Sequence, residues 1–216
     1  MLSNTQNQAL YELQKELWGY AEPGFLEHLS AAAMSKFLRQ EGFTVTEGIC
    51  GMETAFVGVC GSGHPVICLL AEFDALYGLS QEADVSEYKP IEGVATGHGC
   101  GHHLLGTGSI AAAMMVKDYL EKNKLSGTIK MVGCPAEESG SGKAYLARDG
   151  FFDDADAAIT WHPSTLNVVS SGSNQSCIQC YFRFHGVSSH AAGNPEAGRS
   201  AAGSRPCEQL LCREEF

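Results

Sequence analysis

Residues 97–103 read GHGCGHH: three histidines and a cysteine within seven positions, and glycine at the other three. Cys100 and His102 stand two residues apart, close enough for both side chains to reach one small centre. Thiolate and imidazole are ligands that borderline ions such as Zn²⁺ take readily. The glycines let the backbone fold tightly without side chains blocking the ion. A long helix expected from about His103 turns its amide end toward this loop, which favours a thiolate over a thiol at Cys100.

Three other segments carry chemistry of the same kind: Glu72 and Asp74 in LLAEFDALYG, Glu137 and Glu138 in VGCPAEESGSG, and His162 in ITWHP. Read as the end of a strand, Glu137–Glu138 point in opposite directions. One carboxylate can then ligate an ion while the other takes a proton from an activated water. A single match of this sort is weak, but Cys, His, Glu and His at successive strand ends of one sheet is a much rarer coincidence. The same residues admit a second chemistry, a cysteine hydrolase with Cys100 as nucleophile and a nearby histidine as base. That reading leaves the paired glutamates unexplained.

These side chains need elements to hold them. Residues 4–20 and 26–41 carry apolar residues at helical spacing, separated by AEPG. FTVTEG, ETAFVGVC and PVICLLAEF read as strands, the last apolar enough to be buried on both faces of a sheet. Residues 73–101 read as a long loop, and 103–124 as the strongest helix in the chain. GTIKMVGCPAEE follows as a strand, GKAYLARDG as a short helix, DAAITWHP as a strand and SCIQCYFRFHG as one more. Alternating strands and helices predict an α/β fold with helices on the faces of a sheet. Ligands in such folds collect beyond the carboxyl ends of the strands, where the four segments fall.

The 25 acidic and 14 basic residues give a formal net charge of −11, spread along the chain. A field of that sign repels phosphate backbones and anionic lipid, so neither nucleic acid nor a membrane surface is an expected partner. No run approaches the ~20 apolar residues of a membrane span. The nine cysteines, several inside apolar runs, and an N-terminus unlike a signal peptide predict a reducing, cytoplasmic setting. Cys177 and Cys180 form a CxxC with no second pair and read as plain strand residues. ESGSGK lacks the spacing of a phosphate loop.

AEFDALYGLSQ, ATGHGCGHHLLGTGSIAAA, GCPAEESGSGKAYLARDGFFDDADAAITWHP and GVSSHAAGNPEAGRSA together resemble the M20 metallopeptidases. The likeness, from about residue 5 to 201, is to the amidohydrolase branch of aminobenzoyl-glutamate hydrolases, N-acyl-amino-acid hydrolases and M20 domain-containing dipeptidases. It implies a mixed sheet flanked by helices, a zinc-exopeptidase-like catalytic domain whose N-terminal part is residues 1–174. The start of a smaller α+β lid/dimerisation domain would occupy 175–216, with an atypical tail from about 202. It implies two divalent metal ions, zinc or manganese, and hydrolysis of the amide bond of N-acyl or aminobenzoyl amino acids or small dipeptides. Cys100, His102, Glu138 and His162 would be metal ligands, Glu137 the general base and Asp74 the carboxylate that orients a ligand histidine. His190 would be catalytic, reaching a partner subunit's site in a homodimer to steady the oxyanion, and with Asn194 would bind substrate. His103 stands where relatives carry Asn or Asp, so either His102 or His103 is the ligand. The chain stops about halfway through the family's length, without the final metal histidine, so a truncated, inactive or regulatory fragment is a further expectation.

Overall fold

Leu10, Leu13 and Leu17 recur at helical spacing, and Asn4–Tyr20 is helix α1, with those three leucines buried. Ser3 caps it reciprocally: its hydroxyl accepts from the Gln6 amide at 3.2 Å, and the Gln6 side chain accepts from the Ser3 amide at 3.0 Å. Helix α2, His28–Gln40, buries Met34, Phe37 and Leu38. Strands β1 (Thr44–Glu47), β2 (Phe56–Ser62) and β3 (Val66–Glu72) follow. Two-residue strands β4 (Leu76–Tyr77) and β5 (Thr96–Gly97) then pair across what the sequence predicts as one long loop. Helix α3 spans His102–Asn123, β6 Gly127–Cys134, a helical turn α4 Glu137–Gly140, α5 Gly142–Arg148 and β7 Ala157–Ile159. The structure, a computed structural model, describes residues 1–169.

The five-stranded sheet runs β1-β2-β6-β3-β7. β1, β2 and β6 pair antiparallel, whereas β3 is parallel to β6 on one side and to β7 on the other. It is the mixed sheet that the sequence leads one to expect. Between two parallel neighbours, β3 is covered on both faces. Leu69 and Ala71 join a core with Met34, Ile110 and Met114, while Cys68 and Leu70 pack with Met52, Val132 and Leu146. Each large apolar side chain buried here contributes about 1.5–3 kcal/mol.

This topology places the chemistry. The carboxyl ends of parallel β3, β6 and β7 share one end of the sheet. Helix α3, crossing back between β3 and β6, begins at that same end. Gly106 lets α3 approach closely, since a Cβ there would lie 2.8 Å from the Glu72 carbonyl oxygen. Ser109 fastens the helix to β3 through its hydroxyl, which donates to the Leu70 carbonyl at 2.9 Å.

One local expectation is corrected. The strand read through Glu138 ends at Cys134, because Pro135 has no N–H for the ladder and Ala136 is left-handed, with φ 56°. Glu137 and Glu138 therefore open a helical turn, where successive side chains diverge by about 100° rather than 180°. The strand expected at 176–186, Cys177, Cys180, the lid domain from 175 and the tail from 202 lie outside the described residues. Among those described, no helix is long and apolar enough to cross a membrane.

Candidate metal centre

His102 opens α3 with its side chain fully buried. Its Nδ1 lies 2.8 Å from Asp74 Oδ1, and a carboxylate can only accept, so Nδ1 carries the proton. That leaves a lone pair on Nε2, which is buried and has no hydrogen-bond partner. The surroundings of Nε2 are anionic: Glu72 Oε2 stands at 3.1 Å, and Glu137 Oε2 and Glu138 Oε1 each at 3.9 Å. A lone pair facing three carboxylates calls for a positive charge between them. Burial opposes charging the ring, yet Asp74, Glu72 and Glu138 outweigh it and hold the His102 pKa above the usual imidazole value.

Cys100 and His162 supply the softer side of the same place. Cys100 Sγ is 3.1 Å from His162 Nε2, and His162 Nδ1 is 2.9 Å from its neighbour's Pro163 carbonyl oxygen. A carbonyl only accepts, so His162, like His102, has its Nε2 lone pair turned to the site. The ligating atoms of Cys100, His102 and His162 all lie within 4.8 Å of one another, as do those of Glu72, His102 and Glu137. Ligands of one tetrahedral zinc are about 3.4–3.8 Å apart at its normal bond lengths. The set of sulfur, imidazole and carboxylate fits borderline divalent ions, with His102 common to both groups.

The acids also set the thiol. Burial and the carboxylates of Glu138, Glu137 and Glu72 push Cys100 up to about 12. The expectation that the end of α3 favours a thiolate is thus reversed in the protein alone, since burial and three nearby negative charges outweigh one helix terminus. Burial, followed by Glu72, also raises the Glu137 carboxyl above the ordinary range. Glu138 is tethered by its backbone, its amide donating to Asp74 Oδ2 at 3.0 Å. Asp74 therefore touches both a histidine and the acid pair.

Of the two adjacent histidines, His103 lies elsewhere. Its ring packs 5.1 Å from Trp18 and 4.7 Å from His98, and burial depresses its pKa to about 4. His98, inside the same glycine-rich run, bonds through Nε2 to the Leu17 carbonyl oxygen at 3.1 Å. His190 and Asn194 lie outside the described residues. Two neighbours carry no sequence signal of their own. Lys143 donates to Glu72 Oε1, and Glu27, 109 positions away, accepts the Ala136 amide at 2.7 Å. Glu27 belongs to no spaced motif and Lys143 only ends the ESGSGK run, so tertiary folding alone brings them here.

The profile of peptidase family M20/M25/M40 matches residues 68–196. The chain belongs to that family. It is 44% identical over 190 residues to one of the p-aminobenzoyl-glutamate hydrolase subunits of Escherichia coli (strain K12), an alignment covering 88% of this chain and 40% of that protein. It is 27% identical over 201 residues to the Xaa-Arg dipeptidase of Mus musculus, covering 88% and 42% respectively. The chain thus spans about two-fifths of these relatives' length. Among solved structures, the YXEP protein of Bacillus subtilis, described as a dinuclear metal binding peptidase from the M20 family, superposes with a TM-score of 0.64 at 21% identity, over 76% of this chain and 44% of that one. That likeness carries the fold.

Proposed function

We propose that the protein hydrolyses the amide bond of an N-acyl or aminobenzoyl amino acid, or of a small dipeptide, at a centre of two divalent ions. Cys100, His102, Glu138 and His162 would hold the ions, zinc or manganese. The observation that carries this reading is His102 Nε2: buried, without a hydrogen-bond partner, aimed by Asp74 and facing three carboxylates, with Cys100 and His162 beside it. Bound divalent ions would polarise the scissile carbonyl and make a water nucleophilic near neutral pH. Glu137, its side chain 39% exposed where Glu138 is 23% exposed, is the freer of the two acids. It takes the proton of the attacking water and passes it to the departing amine. Asp74 keeps His102 in one tautomer throughout.

The substrate class rests on the name and likeness of the Escherichia coli relative. His190 and Asn194 complete the substrate site in this proposal, from a lid domain beginning near residue 175 that pairs two copies. Cys50, Cys60, Cys68, Cys100 and Cys134 form no disulfide among the described residues, in keeping with a cytoplasmic setting.

The 3.1 Å Cys100–His162 pair also suits a thiol nucleophile with its base. A nucleophilic cysteine needs surroundings that favour the thiolate, and burial and the acids around Cys100 do the reverse. The test uses the full chain with Glu137→Gln and with chelation. Glu137→Gln should retain metal and abolish turnover, and an active variant would remove Glu137 as base. Activity that survives complete chelation would transfer the reaction to Cys100.

A further inference from the structure

We infer that Glu27 is a positioning residue for the Glu137–Glu138 pair: its buried carboxylate holds the Ala136 amide and so fixes the turn that aims both acids at His102. This rests on the metal reading above. Glu27 precedes α2, yet its side chain does not cap that helix. It is fully buried instead, with Oε1 accepting the Ala136 amide at 2.7 Å and Oε2 accepting the Thr54 hydroxyl at 3.0 Å.

The bond falls at a strained point. Ala136 has φ 56° and ψ 42°, a left-handed conformation that is unfavourable for a residue with a Cβ. Such a residue persists only where its surroundings over-determine it. Two residues on, the Glu138 amide donates to Asp74 at 3.0 Å. Glu137 is therefore bracketed, with the amide before it and the amide after it each held by a buried carboxylate. Release of the Ala136 amide frees the entry to α4, and with it the direction of both acids.

The carboxylate is expensive to keep there. No cation pairs with Glu27 among the described residues, and burial raises its pKa above the usual carboxylate value despite the N–H and hydroxyl it accepts. What it supplies in return is the geometry of the turn. Glu22 offers a contrast close by. Its carboxylate receives the Leu29 and Ser30 amides at 2.9 and 2.8 Å, so it caps α2 and, among the described residues, makes no hydrogen bond to the acid pair.

The probe is Co²⁺ titrated into the full chain, followed by its visible absorption. Wild type, Glu27→Met, Glu27→Gln and Glu22→Ala are compared. Glu27→Met fills the space but leaves the Ala136 amide unpaired, and it should weaken cobalt binding about 10–100-fold and alter the band shape. Glu27→Gln keeps an oxygen for Ala136 and a donor for Thr54, and should restore both affinity and spectrum. Glu22→Ala should lower thermal stability without moving the spectrum. Should Glu27→Met not fold, Glu27→Asp is one methylene too short to reach Ala136 and is read in the same way. Wild-type behaviour of Glu27→Met, a Glu27→Gln as impaired as Glu27→Met, or an equal loss in Glu22→Ala would overturn the assignment. A wild-type chain that binds no cobalt would overturn the metal reading, and this inference with it.

Discussion

Replacing Asp74 by Asn changes one atom in a fully buried side chain, and its consequence can be worked from two distances. Asp74 Oδ1 accepts His102 Nδ1–H at 2.8 Å, and Oδ2 accepts the Glu138 amide at 3.0 Å. Asparagine has one acceptor and one donor, so one of the two N–H groups must face an NH₂. If the oxygen stays on His102, the Glu138 backbone loses its tether. If it turns to Glu138, His102 must take its other tautomer, which puts the proton on Nε2 and removes a ligand lone pair. A hydrogen bond to a charged group contributes about 1.5–3 kcal/mol. At about 1.4 kcal/mol per decade, that predicts a loss of roughly 10–100-fold in metal affinity, the upper end if the tautomer changes. The assay is competition for zinc between the full chain and a chromogenic chelator. Affinity of Asp74→Asn within twofold of wild type would refute the claim that Asp74 orients the site.

Two other predictions concern the scaffold. Gly133 lies opposite Phe56 in the β2–β6 register, and a Cβ there would overlap the Phe56 ring. Gly133→Ala should therefore destabilise by about 1–3 kcal/mol, read as a lower denaturant midpoint; an unchanged midpoint would contradict the packing. Cys60 and Cys134 are buried, with thiols pushed up to about 11 and 12, and burial also raises Cys68. Peptide mapping after iodoacetamide at neutral pH should find all three unmodified in the native protein and modified after denaturation.

Much of this arrangement is legible before any coordinates. Helices α1, α2 and α3 follow from apolar spacing, and β3 from a continuous apolar run, because burial dictates both patterns. The four candidate segments are visible because α/β topology sends strand ends to one edge. What escapes the sequence is set by tertiary contacts. Pro135 and a left-handed Ala136 turn the acid pair out of the strand. Two histidines of like type separate only because His103 finds Trp18 and His98 while His102 finds Asp74. The thiol of Cys100 is raised by burial and by carboxylates from distant segments. Glu27 reaches Ala136 across 109 positions, a distance at which spacing carries no information.

The central claim is that sulfur from Cys100 joins imidazole and carboxylate around a divalent ion. X-ray absorption of the zinc-loaded full chain tests it directly. The expected spectrum has a sulfur scatterer at about 2.3 Å beside nitrogen and oxygen, lost in Cys100→Ser. A shell of nitrogen and oxygen alone, or a sulfur signal that survives Cys100→Ser, would contradict it.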